Sequence, residues 1–225
     1  MGRQEQTNHL FSNRDLRILL VPLIVEQILN SLMGTADSIM VSNVGSAAIS
    51  AVSLVDSINI LVIQAFYALA AGGTIVCSQY IGQKDKKNAE ESARQLSFVV
   101  ACISSAVMAV CLLTRGPLLR LIFGSVEADV MEAAQIYFFY TALSFPFIAL
   151  YDAGSSIYRA QGNTRLPMTI AVVSNGLNIA GNAVLIWGFH LGVAGAAIAT
   201  LGSRVISAVV VFALFAQSQP GNCGA

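Results

Sequence analysis

Six apolar runs dominate this chain, each close to the roughly 20 residues that a helix needs to cross a bilayer. They lie at about 16–40, 53–77, 96–114, 134–156, 166–187 and 193–215. In hydrocarbon a backbone satisfies its polar groups as a helix or as a closed barrel, and in no other way. Barrel strands alternate apolar and polar residues over about 10 positions. The segment VVACISSAVMAVCLL at 99–113 does not alternate. The expected fold is therefore an all-α membrane protein, a bundle of six transmembrane helices over 16–215. A cytoplasmic N-terminal tail (1–15) and C-terminal tail (216–225) flank it. Composition agrees, with 56% hydrophobic and 11% charged residues, against about 25% charged in soluble domains.

Lys and Arg set the orientation. Nine lie in the N-terminal tail (Arg3, Arg14, Arg17), the second loop (Lys84, Lys86, Lys87, Arg94) and the fourth (Arg159, Arg165). The third loop has Arg115 and Arg120, diluted by Glu127, Asp129 and Glu132, and the first and fifth have none. Both termini are expected in the cytoplasm, in a plasma or inner membrane. The glycine-containing turns NVGSAA and GFHLGVAG predict that spans 1 and 2, and spans 5 and 6, are antiparallel neighbours. Small-residue pairs such as Ala68 with Gly72 and Gly195 with Ala199 predict close helix approaches.

Several classes are excluded. The net charge is zero, so no basic surface points to nucleic acid. Cys77, Cys102, Cys111 and Cys223 form no C-x-x-C pair, which leaves no disulfide framework or zinc site. The first 15 residues are polar, unlike a cleavable signal peptide. An intramembrane hydrolase is disfavoured because no H-E-x-x-H motif occurs, and His9 and His190 lie outside the apolar runs. No enzyme and no cofactor is expected.

Polar residues inside the spans carry the functional information, because lipid does not tolerate them and they face protein or water. In the first span Glu26, Gln27, Asn30, Gly34 and Asp37 fall within about a 100° arc. Glu26 and Asp37 are roughly 16 Å apart along the axis. In the fifth span Asn175, Asn178 and Asn182 stand at i, i+3 and i+7 and form one line. Such carboxamides satisfy a carboxylate, coordinate a hard cation or bind a polar substrate. Asp56, Asn59 and Tyr67 share a face of the second span. Tyr137 and Tyr140 fit an aromatic belt or a binding pocket. Asp152 reads as an interface residue or a partner for Arg159. Pro22 and Pro146 lie inside apolar helices, where they break the hydrogen-bond ladder. Arg204, four residues after Thr200 in the sixth span, predicts a carboxylate partner, with Glu26 and Asp56 as candidates.

The run P-x-x-x-E-Q-x-x-N-S-x-x-G-T-A-D-S-I-M-V-S-N-V-G at 22–45 resembles the first helix of the multidrug and toxic compound extrusion (MATE) family. SQYIGQKD, YRAQGNTRLPM, NIAGNAVLIWGF and GVAGAAIAT follow in that family's order. The resemblance implies one six-helix lobe of a two-lobe antiporter. Such an antiporter expels organic, often cationic, compounds on a proton or sodium gradient. It also implies a cation site of Asp37, Asn178, Asn182 and Thr200, binding H+ or Na+. Some relatives carry an acid where this chain has Asn182. Glu26, Gln27, Asn30, Asn175, Tyr140 and Arg204 remain candidates for substrate contact or coupling. The implied partners are the bilayer, a small organic substrate, and a second lobe or a second copy of the chain. A truncated half is the leading expectation. A lipid-linked glycan flippase and a non-transporting membrane subunit are the alternatives; Arg204 alone inside the membrane counts against the first.

Overall fold

The computed structural model describes residues 13–218, with side chains over 17–215. Arg3, His9, Arg14, Cys223 and most of the two tails lie outside the described residues or side chains. The elements are α1 (Asn13–Ser42), α2 (Ser46–Gly82), α3 (Lys86–Phe123), α4 (Ala128–Leu143), α5 (Phe145–Ala160), α6 (Arg165–Asn182) and α7 (Gly192–Ser218). A π-helical turn, Ala183–Gly188, continues α6. No strand occurs among the described residues. Among the described residues five helices are long and apolar enough to cross a membrane singly, and α4 with α5, bent by 42°, makes a sixth if the pair is counted as one span. The chain is thus an all-α, multi-pass membrane protein.

Helices overrun the apolar runs that predicted them. The 38 residues of α3 rise about 57 Å at 1.5 Å each, well beyond a hydrocarbon core of about 30 Å. Its first turns carry the exposed Lys86, Lys87, Glu90, Glu91 and Arg94, and Asp85 caps it by accepting from the Asn88 N–H at 3.2 Å. Further along, Phe98 and Leu113 are exposed.

The fourth apolar run is not one continuous helix. Pro146 has no N–H to extend α4 and sits in the first turn of α5, where none is needed. Ser144 fills the break. Its hydroxyl donates to the Thr141 carbonyl at 2.6 Å, and its own carbonyl accepts from Phe147 and Ile148.

Helix α5 is the axis of the bundle. Residues 151–158 are all buried, and α5 packs against α2, α3 and α7. Gly154 makes the α7 contact feasible, since a Cβ there would stand 2.1 Å from Val211 Cγ1. Helices α6 and α7 are close neighbours as expected, with a Cβ on Gly181 meeting Ala199 at 3.0 Å. Helices α1 and α2 are in contact as expected, and α1 packs more extensively on α6. One expectation needs correction. Gly72 has open space around it, and the close approach belongs to Gly73, where a Cβ would strike Leu96.

Candidate cation site and its surroundings

Along α1 the buried or half-buried positions Pro22, Glu26, Leu29, Met33, Asp37 and Met40 recur every three or four residues. They form the stripe that meets α6. Asp37 and Glu26 are therefore buried, at 5% and 2% exposure. Gln27 and Asn30 sit off that stripe and are exposed. A 100° polar arc is wide enough to straddle the boundary, so it does not all turn inward.

On α6 the three asparagines are buried, Asn178 and Asn182 completely. Asn182 Nδ2 donates to Asp37 Oδ1 and lies 3.4 Å from Asn178 Oδ1. Asn178 Nδ2 donates to Thr200 Oγ1 of α7 at 3.2 Å. One polar chain thus joins α1, α6 and α7: Asp37, Asn182, Asn178, Thr200. Asn182 Oδ1 is buried with no partner. The wide π turn begins one residue later, and π turns are frequent where helices carry function. Asn175, one turn earlier, is not part of this chain; its Nδ2 donates to the Ala171 carbonyl at 2.7 Å.

The donor set is one carboxylate, two amide oxygens and a hydroxyl, all hard oxygen ligands. Among the described residues no three His, Cys, Asp or Glu side chains gather as metal ligands. A single carboxylate balances one positive charge, so these residues fit a monovalent cation or a proton. The unpartnered Asn182 oxygen supplies an acceptor for either.

Close by, Tyr137 Oη and Asn59 Nδ2 both donate to Asp56 Oδ1, each at 3.3 Å. Tyr140, the tyrosine expected at the site, stacks edge-on against Phe139 with centroids 5.3 Å apart. Tyr137, one turn earlier on α4, reaches the polar interior instead. Nothing in the sequence separates these two tyrosines, which share a broad face of one helix.

Among the described residues Arg204 forms no close ion pair with a carboxylate. One of its terminal N–H groups donates to Ser144 Oγ at 2.7 Å, and its Nε is buried without a partner. The helix break turns Ser144 toward α7, and the guanidinium satisfies it. Asp56, Asp37 and Asp152 all lie within its electrostatic reach. Glu26 pairs with Arg159 of α5 at 3.6 Å and accepts from Tyr151 Oη at 3.3 Å. Arg159 therefore belongs to Glu26 rather than to Asp152, and its guanidinium also lies 6.0 Å from the Tyr67 ring centre. This second polar cluster lies three turns of α1 from Asp37. A cavity of about 40 Å³ lies beside it, lined by Asn30, Tyr151, Ser174, Asn175, Arg204 and Ser207 among others. That volume suits one or two waters.

Comparison with known proteins fits this architecture. The MatE family model matches residues 22–184. An uncharacterized transporter YisQ of Bacillus subtilis is 34% identical over 214 residues, covering 93% of this chain and 45% of the relative. A probable multidrug resistance protein NorM of Thermotoga maritima is 27% identical, covering 92% and 45%. A multidrug and toxin extrusion protein 2 of Mus musculus is 24% identical, covering 85% and 33%. Among solved structures, MATE in the straight conformation superposes with TM-score 0.84 at 25% identity, covering 92% of this chain and 45% of that one. MATE in the bent conformation gives 0.82 at 25% identity, covering 92% and 46%. The chain spans under half the length of these relatives, and its single lobe is matched nearly throughout. With 22–184 matched by its model and the fold shared, the chain belongs to the MatE family.

Proposed function

We propose that this lobe is the cation-coupling half of an antiporter that exports organic, often cationic, compounds. Asp37 is the group that takes up H+ or Na+, with Asn182, Asn178 and Thr200 completing the site. The observation that carries this reading is the buried chain linking Asp37 to Thr200 through both asparagines. Three helices meet at one carboxylate, so neutralising it changes how α1, α6 and α7 pack. Cation and substrate then exclude each other by biasing one equilibrium between two packings. Pro22 and Gly34 are the bending points of α1. The relatives' names, multidrug resistance protein and multidrug and toxin extrusion protein, support the cargo class.

In this reading both termini lie in the cytoplasm, which puts Asp37 toward the outer face and Glu26 toward the inner. The complete path needs a second lobe or a second copy of the chain, and the protein has no catalytic role. The test is calorimetric and pH-electrode titration of the purified chain with Na+ and H+, beside Asp37→Asn. Loss of Na+ uptake, or of one bound proton per chain, in the variant, with its melting retained, is the expected result. Unchanged uptake overturns the assignment. Dye efflux from proteoliposomes then tests transport.

A further inference from the structure

Inside the spans four acids meet two guanidiniums. The acids are Glu26, Asp37, Asp56 and Asp152; the cations are Arg159 and Arg204. The other charged side chains of these helices are exposed or lie at helix ends. An uncompensated charge in this setting is expensive. Glu26 and Arg159 neutralise each other at 3.6 Å. Arg204 balances one of the three aspartates in its reach. Two negative charges remain. The reading of Asp37 given above accounts for one exchangeable cation, and this inference rests on that reading for the count alone.

Hydrogen bonding identifies the acid left over. Asp56 is half-buried and holds two donors, Tyr137 Oη and Asn59 Nδ2, and donors directed at a carboxylate favour its charged form. Asp152 lies on the central helix at 9% exposure, and its Oδ2 is buried with no partner. Ser155, one turn along α5 and fully buried, has an unpartnered Oγ as well. Glu26 Oε2 and Asn175 Oδ1 are two more buried acceptors without a hydrogen-bond donor. No donor reaches Asp152 Oδ2, and a proton on that carboxylate turns the orphaned acceptor into a donor.

We propose that Asp152 is a second exchangeable-proton site of this lobe, separate from Asp37 and on the Glu26 side of the bundle. Uptake forms an O–H bond at the Asp152 carboxylate with a proton delivered by water, and release returns that proton to water. The 40 Å³ cavity lined by Tyr151, Arg204 and Asn175 among others has room for such a water. Charged and titratable groups around Asp152 come from every packed side. They are Glu26 of α1, Tyr67 of α2 through Arg159, Tyr137 of α4, Tyr151 and Arg159 of α5, and Arg204 of α7. The charged residues of α3 are all exposed, and α6 offers only the exposed Arg165 at its start. A metal cation is disfavoured with two guanidiniums in reach. The unpartnered oxygens also belong to three different helices, whereas a proton needs one oxygen.

The test is pH-jump infrared difference spectroscopy on the purified 225-residue protein in sodium-free detergent solution. Wild type is expected to show a protonated-carboxyl band that is lost in Asp152→Asn, and a second that is lost in Asp37→Asn. Wild-type bands in Asp152→Asn, on protein that elutes and melts like wild type, overturn the proposal whatever Asp37→Asn does. Wild-type bands in Asp37→Asn alone overturn the reading of Asp37 and leave the Asp152 band standing. If Asp152→Asn does not fold, Asp152→Glu replaces it: a frequency shift of that band supports the site, and an unmoved spectrum overturns it. Sodium added at constant pH is expected to leave the band in place, and its disappearance overturns the proton assignment.

Discussion

Arg159→Met tests whether the Glu26–Arg159 pair is one energetic unit. The pair has side chains 3% and 15% exposed and a charge separation of 3.6 Å. With an effective dielectric constant of about 20, the attraction at that distance is about 4–5 kcal/mol. Removing one partner of a buried pair leaves the other charge uncompensated, and measured losses run to about 3–5 kcal/mol. Arg159→Met should therefore destabilise the protein by about 3–4 kcal/mol, the lower value allowing for the partial exposure of the arginine. Glu26→Gln with Arg159→Met removes both charges at once and should lie within about 1 kcal/mol of wild type. The assay is SDS-induced unfolding in mixed micelles, followed by the fluorescence of Trp187, the one tryptophan. A double-mutant cycle from the four proteins should give a coupling of at least about 2 kcal/mol. If the two single losses simply add, the pair is not an energetic unit and α1 is held by its helix packing, chiefly on α6.

Other substitutions probe the packing and the site. Gly154→Ala should lose about 1–3 kcal/mol by overpacking against Val211, and Val211→Ala in the same chain should recover most of that in melting experiments. Gly72→Ala meets open space and should be neutral or stabilising by up to about 1 kcal/mol. Ser144→Ala strips Arg204 of its hydrogen bond and should lower stability by about 1.5–3 kcal/mol, read by the same unfolding assay. Asn182→Asp sets a second carboxylate beside Asp37. Like charges that close do not both ionise in a dry site, so a pH electrode should record one more bound proton per chain than in wild type.

Helical periodicity makes much of the site legible in the sequence. Apolar runs fixed the membrane-spanning helices, because only a helix satisfies its backbone within one segment. Spacing alone put Asn175, Asn178 and Asn182 in line and marked Asp37 as intolerable to lipid. The resemblance at 22–45 and 178–200 then named the group that the structure assembles around Asp37. A carboxylate ion pair for Arg204 and a close approach at Gly72 did not survive, and Tyr137 rather than Tyr140 holds Asp56.

Those choices failed for one physical reason. Sequence order along a helix sets the angles between side chains but not the rotation of the helix against its neighbours. Gln27 and Asn30 lie within 100° of Glu26, yet α1 turns Glu26 inward and leaves them exposed. A long guanidinium picks its partner by distance in three dimensions. Glu26 and Arg159 are far apart in the chain, as are Ser144 and Arg204, and only the docking of α1, α5 and α7 brings them together. The sequence by itself determined a six-span helical lobe with a polar line and a buried acid. The tertiary structure decided which of its charges face one another and which is left without a partner.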